Sequence, residues 1–217
     1  HASPCIQPRV GLERAAELRG EFAMTHMPDL TTERLTVRPF RMDDVDAYFH
    51  VFDEGDAPGE QNAPPDWFEW ATRNPDALGG LGQPPYGDRA VCLRESGELI
   101  GSAGFVPCLM PFEMLREFSP DHDPSAHVCS TPEFGLFYSF GPAYQRQGYA
   151  TEAVRAMVDY AFGSLNLKRI IATTEADNDR SIRMMERLGM AVARNPSEEP
   201  PWMQIVGMLY NPKLHAS

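Results

Sequence analysis

The chain is short of positive charge. Its 19 Lys and Arg stand against 31 Asp and Glu, a formal net charge of −12. Binding to a phosphate backbone needs a basic surface, so nucleic acid is excluded as the main partner. An anionic membrane surface is excluded on the same ground. A cationic substrate such as an amine stays compatible, although an acidic surface also serves solubility alone. Cysteine is sparse: Cys5, Cys92, Cys108 and Cys129 form no C-x-x-C pair and carry no His at metal-like spacing. They read as free thiols in a reducing compartment, which points to a cytoplasmic protein; a catalytic cysteine is the less economical alternative. His122 and His127 lie near Asp121 and Asp123 but have no second ligand cluster, so no metal is expected. No apolar run is long enough for a transmembrane helix, and no internal repeat is evident.

What is present fits one folded unit. With 217 residues and 42% hydrophobic content, the chain reads as a single globular domain with a sizeable core. Residues 1–28 read as an N-terminal extension, 29–212 as the domain and 213–217 as a tail. The extension lacks a basic segment followed by an apolar core, so no signal peptide is expected. Gly11 to Met24 predicts a weak helix. His-Ala-Ser stands at both 1–3 and 215–217, which points to cloning-derived ends, with Met24 or Met27 as natural starts.

The most informative stretch runs from Pro132 to Leu165. Glu133 to Phe140 is short, apolar and aromatic, which is strand chemistry. Gly141-Pro142 breaks it. From Thr151, Val154, Met157, Val158, Ala161 and Phe162 fall on one helical face. Between them lies Gln145-Arg146-Gln147-Gly148-Tyr149-Ala150. The first turn of a helix has N–H groups without internal acceptors and partial positive charge, and a glycine lets a phosphate approach the backbone. The expected ligand is a phosphate or pyrophosphate. A helix that simply starts after a proline turn would carry the same residues, and so would an unrelated phosphate-binding domain.

Around that unit the chain reads as strands and helices in the order β-α-(α)-β-β-β-α-β-α-β-β. Leu35 to Arg38 predicts a strand. Asp43 or Asp44 caps a helix through Val45, Tyr48, Phe49 and Phe52. Asp53 to Pro65 reads as a loop, and Asp66 to Thr72 as a short helix whose Trp67, Phe68 and Trp70 either pin that loop to the core or hold a substrate. Gly79 to Asp88 reads as a loop. Arg89 to Arg94 and Leu99 to Val106 form a hairpin about Glu95 to Glu98. Pro107 to Thr131 reads as a long insertion with a short helix at Phe112 to Phe118. Arg169 to Thr174 predicts a β-branched strand. Asn178 caps a helix from Asp179 to Leu188 that stops at Gly189. Ala191 to Arg194 and Met203 to Tyr210 complete the sheet.

Gln145-x-x-Gly148-x-Ala150 resembles the Q/R-x-x-G-x-G/A acyl-CoA signature of the GCN5-related N-acetyltransferase (GNAT) superfamily. Asn178-x-x-Ser181 with Glu186-Arg187-Leu188-Gly189-Met190 is similar to its second signature, and Arg34 to Phe40 and Gly97 to Gly101 look like its opening strand and central hairpin. The resemblance covers roughly residues 30–210 and is nearest to the ribosomal-protein alanine acetyltransferases (RimJ/RimL-like). It implies an α/β (α+β) fold: a mixed, mostly antiparallel sheet of about six to seven strands flanked by helices. Its fourth and fifth strands splay to admit the cofactor arm. It implies acetyl-CoA as co-substrate and no metal. Tyr138, Ser139 and Phe140 then line the pantetheine, Gln145, Arg146, Gln147, Gly148, Tyr149, Ala150 and Thr151 wrap the pyrophosphate, and Asn178 contacts the cofactor arm. The resemblance further implies a possible homodimer through the last strands.

The implied chemistry is transfer of acetyl to a primary amine, in a small cationic molecule or at a protein N-terminus. The amine must lose a proton before it attacks, the oxyanion needs a donor, and the leaving thiolate needs a proton. The position where many family members carry a proton-donating tyrosine is Met185, which cannot donate. Ser181, in the first turn of the same helix, is the candidate acid, with helix capping as its alternative role. Glu133, at the start of its strand, is the candidate base, although the family's strand carboxylate often falls where Gly135 stands. The missing tyrosine keeps open a second reading, an acyl-CoA-binding regulatory protein without efficient turnover. Glu113, Glu117, Asp121 and Asp123 of the insertion are expected to shape acceptor choice.

Overall fold

The computed structural model describes residues 26–53, 65–115, 117–118, 129–196 and 199–215. The weak helix expected at Gly11 to Met24, Cys5, and the insertion residues Asp121, His122, Asp123 and His127 lie outside the described residues.

Eight strands form one sheet: β1 Leu30–Thr31, β2 Leu35–Pro39, β3 Gly87–Leu93, β4 Leu99–Met110, β5 Thr131–Phe140, β6 Arg169–Thr174, β7 Ala191–Arg194 and β8 Ile205–Tyr210. Their spatial order is β1-β2-β3-β4-β5-β6-β8-β7. All neighbours are antiparallel except β5 and β6. The helices are α1 Val45–Asp53, α2 Pro65–Gly80, α3 Tyr149–Gly163 and α4 Asp179–Arg187. The one strand not expected is β1, whose two residues are too few to show alternation.

Alternation along β2 and β3 sends side chains to both faces of the sheet. Leu35, Val37 and Val91 point to the face covered by α3, where they pack with Ile100, Val154 and Met157. Ala90 and Cys92 point to the face covered by α1 and α2, against Phe40, Tyr48, Phe52 and Phe68. The result is a layer of helix on each side of the sheet. Val154 and Met157 are fully buried, each worth roughly 1.5–3 kcal/mol in apolar area removed from water.

Three expectations about length need correction. The short helix expected at Asp66 to Thr72 runs on to Gly80, through Pro75. Proline removes one intrahelical donor, but Ala71, Asn74 and Leu78 share a buried face. The Asn74 amide donates to the Tyr86 carbonyl at 2.6 Å, which anchors the far end. The strand expected to end at Val106 continues to Met110, because Pro107 to Met110 pair with Phe134 to Thr131. So the insertion from Pro107 begins as sheet, and Cys108 and Met110 pack with Phe112, Leu115 and Val206. The helix expected at Phe112 to Phe118 is a single 3-10 turn, Phe112–Met114, with the Phe112 and Phe118 rings stacked at 5.2 Å.

The aromatics of α2 differ in burial. Phe68 is buried against Phe40 and Tyr48, with centroids 5.2 and 5.8 Å away, and Trp67 lies 5.2 Å from Tyr48. These pin α2 to the sheet, while Trp70 is exposed. Asp44 does not cap by a side-chain bond forward into α1. Its carboxylate accepts from the Arg41 backbone N–H at 2.8 Å and takes both terminal nitrogens of Arg38, at 2.6 and 2.7 Å. Burial pushes the Asp44 carboxyl up, but these donors outweigh it and hold it below the usual range.

Candidate active site

The site lies where the sheet comes apart. β4 and β5 pair at ten successive positions, from Gly101–Phe140 to Met110–Thr131. β5 and β6 pair only at Gly135–Ile171. Strands that diverge leave backbone groups facing the gap, where a ligand can take the place of a neighbouring strand. At the closed end, Glu133 on β5 and Arg169 on β6 form a bidentate ion pair, with the Arg169 Nε to Glu133 Oε2 bond at 2.9 Å. The Arg169 guanidinium also donates to the Tyr210 hydroxyl at 3.3 Å and lies over the Phe118 ring. Glu133 is therefore a clasp across the seam. Glu133, the expected base, is not among the residues that line the cavity, and Arg169 meets both of its oxygens.

At the open end the chain turns sharply from β5 into α3. Arg146 and Gly148 both adopt left-handed backbone, with φ of 61° and 84°. The glycine accepts this without strain. A Cβ there would also meet an Arg34 terminal nitrogen at 3.3 Å. Left-handed turns of this kind aim successive N–H groups into one concavity. The first intrahelical bond of α3 runs from the Glu152 N–H to the Gly148 carbonyl at 3.1 Å. The N–H groups of Tyr149, Ala150 and Thr151 precede it and have no acceptor within the helix.

Arg34, at the entrance to β2, braces this turn. Its Nε meets Glu152 Oε2 at 2.7 Å, its terminal nitrogen donates to the Gln147 carbonyl at 3.1 Å, and its guanidinium lies 4.4 Å from the Tyr149 ring centre. Glu152 also accepts from the Thr32 hydroxyl at 2.6 Å and the Arg34 backbone N–H at 2.8 Å. Burial pushes the Glu152 carboxyl up, yet these hydrogen bonds outweigh it and hold it low.

The gap encloses a cavity of about 560 Å³. Of the expected residues, Tyr138, Ser139, Phe140, Gln145, Arg146, Gly148, Tyr149, Ala150, Thr151, Asn178 and Ser181 line it. Gln147 is not among the lining residues: its amide donates to the Ala143 carbonyl at 2.7 Å. Gln145 lines the cavity but spends its amide on the protein. Its nitrogen donates to the Phe140 carbonyl at 3.0 Å and its oxygen accepts from Arg180 at 2.9 Å, so it bridges β5 to α4. Asn178 caps α4, accepting from the Ser181 N–H at 3.1 Å.

Sequence reading missed Tyr144, Arg180, Arg183, Met184 and Arg187, which also line the cavity. The arginines recur at positions 180, 183 and 187, a spacing of three and four that defines one helical face. That spacing was the available signal. Met185 stays out of the cavity and is buried in the core, its sulfur 2.8 Å from where a Cβ on Gly207 would sit.

The Tyr138 hydroxyl is buried and, among the described residues, has no hydrogen-bond partner. Burial pushes this phenol above its ordinary value; Ser181 and the charge of Arg187 draw it partly back. No group of three or more potential metal ligands occurs among the described residues. No helix among them is long and apolar enough to cross a membrane.

The curated relatives include the uncharacterized N-acetyltransferase YnaD of Bacillus subtilis, 44% identical over 57 residues. That match spans 26% of this chain and 34% of YnaD. The uncharacterized N-acetyltransferase p20 of Bacillus licheniformis is 28% identical over 166 residues, 75% of this chain and 82% of p20. The spermidine N(1)-acetyltransferase of Escherichia coli is 35% identical over 66 residues, 30% of this chain and 34% of that enzyme. Among solved structures, an acetyltransferase from Agrobacterium tumefaciens superposes with a TM-score of 0.61 at 25% identity, covering 85% of this chain and 95% of its own. The ribosomal-protein-S5-alanine acetyltransferase of Vibrio fischeri superposes with a TM-score of 0.59 at 20% identity, covering 85% and 97%, a likeness of fold alone. The split between β5 and β6, the left-handed turn into α3 and the Asn178 cap all fall within residues 34–191, the span matched by the acetyltransferase (GNAT) domain model. The chain belongs to the GNAT acetyltransferase family.

Proposed function

We propose that this acyltransferase moves an acetyl group from acetyl-CoA to a primary amine by direct attack. The acceptor is a small cationic amine or a protein N-terminus. GNAT acetyltransferases use acetyl-CoA as co-substrate. The observation that carries the reading is electrostatic. In a chain of net charge −12, the side chains of Arg146, Arg180, Arg183 and Arg187 border one cavity together with the first turn of α3. Positive charge converging on an N–H-lined turn suits a polyphosphate, which fits the nucleotide end of coenzyme A. Tyr138, Ser139 and Phe140 flank the pantetheine arm, and Arg146, Gly148, Tyr149, Ala150 and Thr151 receive the pyrophosphate. Asn178 uses its carbonyl oxygen as the α4 cap, so its NH2 group is the end that serves the ligand.

Support for a cationic acceptor comes from the spermidine acetyltransferase among the relatives and from the acidic surface. Support for a protein N-terminus is the fold shared with the ribosomal-protein enzyme. The test is twofold. Saturating acetyl-CoA at about a hundred times its Kd is expected to stabilise the fold by roughly 2.7 kcal/mol, read as a rise in Tm; no rise in a folded sample ends the reading. Thiol release with spermidine against an alanine-initiated peptide then assigns the acceptor. One observation favours the second reading, binding without efficient turnover: no Asp or Glu lines the cavity among the described residues. Steady thiol release beyond one equivalent rejects it. A homodimer through β7 and β8 is part of the proposal, tested by sedimentation equilibrium.

A further inference from the structure

Behind the turn into α3 lies a second cavity, of about 270 Å³. Three pieces of chain enclose it: α1 with Ala47, His50 and Val51, the hairpin turn between β3 and β4 with Glu98, and the bend after β5 that ends at Tyr144. Tyr144 borders both this space and the larger cavity. Its hydroxyl donates to Glu98 Oε1 at 2.6 Å, which ties the bend to the hairpin. The bend also presses directly on α1. The Gly141 N–H donates to the Ile100 carbonyl at 3.1 Å, and a Cβ on Gly141 would stand 2.6 Å from a Val51 methyl and 2.9 Å from the Val51 carbonyl oxygen. Contacts this close transmit strain from one element to the next.

The lining sets the chemistry of an occupant. The space is smaller than the cavities of about 300–1,000 Å³ that hold drug-sized ligands, so the occupant is small. Two carboxylates border it, and they are not equivalent. Asp44 is already taken by both terminal nitrogens of Arg38 and by the Arg41 N–H. Glu98 gives one oxygen to Tyr144, and its other oxygen accepts no hydrogen bond among the described residues. Among those residues no Arg or Lys lines the space, which disfavours an anion. Ala47 and Val51 supply an apolar wall, and a neutral His50 ring supplies a further acceptor. One open carboxylate oxygen beside a short apolar wall suits an ammonium on a short carbon chain.

We propose that this second cavity binds a small primary alkylamine, its ammonium on Glu98 and its carbon chain against Ala47 and Val51, and that occupancy strengthens cofactor binding next door. The coupling rests on the acetyl-CoA reading above; the amine site does not. This amine is not the acceptor. Tyr144 meets the larger cavity beside Gln145 and Gly148, at the pyrophosphate end, whereas the acetyl group sits at the other end of the pantetheine arm. The sign of the coupling follows from the chain of contacts: the ammonium holds Glu98, Glu98 holds Tyr144, and Tyr144 is a wall of the cofactor cavity. Coupling is reciprocal, so the cofactor tightens the amine by the same factor.

The probe is n-butylamine, with n-butanol as its uncharged match. In calorimetry on the full chain without cofactor, the amine is expected to bind at least about threefold more tightly than the alcohol. Glu98→Gln keeps an acceptor for Tyr144 but removes the charge, and should weaken the amine about fivefold. Ala47→Phe fills the space from an exposed position and should abolish binding. Free CoA, which has no acetyl group to transfer, is then titrated with and without saturating amine. Its Kd should fall about fivefold in the wild type and stay unchanged in Ala47→Phe. An amine that does not bind, an alcohol that binds equally well, or amine binding that survives both variants overturns the site. A Kd for CoA that ignores bound amine overturns the coupling. If the amine binds and CoA does not, the acetyl-CoA reading falls and the amine site stands. Each variant is checked for an unchanged Tm, and either one, folded, decides whether the amine occupies this cavity.

Discussion

β5 has two neighbours and meets them in opposite ways. On the β4 side it is zipped along its whole length, ten paired positions from Gly101 to Met110. On the β6 side it is joined at Gly135–Ile171 and clasped by Glu133–Arg169. The zipped seam is apolar and packed: Phe105 is buried and meets Phe134 at 6.0 Å between centroids. The split seam opens onto arginines, amide hydrogens and an unpartnered phenol. The contrast assigns a purpose to each side: one seam holds the domain together, and the other gives up strand pairing to create a cavity. Substitutions should separate the two, stability on one side and ligand affinity on the other.

The largest expected effect is on the zipped seam. Phe105→Ala removes a buried ring and should destabilise by about 3–5 kcal/mol, measured by urea unfolding; any folded fraction should still bind acetyl-CoA. Next is the clasp. Glu133→Gln leaves Arg169, with a side chain only 15% exposed, without its counter-charge. Losing one member of a buried pair is destabilising by about 3–5 kcal/mol, less where the amide keeps a hydrogen bond. Turnover per folded molecule near neutral pH should nevertheless persist; a collapse of kcat with unchanged Tm would restore Glu133 to the chemistry and blur the contrast.

On the split seam the signs reverse. Arg187→Ala should leave Tm nearly unchanged and weaken acetyl-CoA binding by about 1.5–3 kcal/mol, with a shallower salt dependence by calorimetry. Gly148→Ala puts a side chain into left-handed backbone at about 1–2 kcal/mol and against Arg34, so both stability and affinity should drop modestly. The smallest effect is the pH response of the Arg34–Glu152 brace. Because the folded Glu152 carboxyl sits below its ordinary value, its contribution is complete above the ordinary carboxylate range. It is lost as pH falls through the lower folded-state value. In Tm measured from about pH 6 down to about pH 3, wild type should therefore fall more steeply than Glu152→Gln.

Much of this was readable beforehand. The strand, glycine turn and helix from Glu133 to Phe162 stand as expected, as do the β6 strand and the Asn178 cap, because each depends on local periodicity and turn chemistry. Eleven of the expected site residues do line one cavity. What was not readable depends on distant neighbours. Nothing local says that β4 survives Pro107, since its pairing partners are Phe134 to Thr131. Nothing local says that α2 survives Pro75, since Tyr86 anchors Asn74. Gln147 looked like part of the ligand loop because its backbone is; its side chain faces Ala143.

By itself, then, the order of residues determined most of the elements, the glycine turn at Gly148 and the cap at Asn178, because these depend on residues a few positions apart. It determined the acid-rich balance of the chain as well. Only the tertiary structure decided what each side chain meets. It turned Glu133 toward Arg169, 36 positions away, brought Arg180, Arg183 and Arg187 to the cavity beside Arg146, and buried the Tyr138 hydroxyl without a partner among the described residues. The Glu133–Arg169 meeting and the cavity lie along the seam where β5 and β6 pair only at Gly135–Ile171.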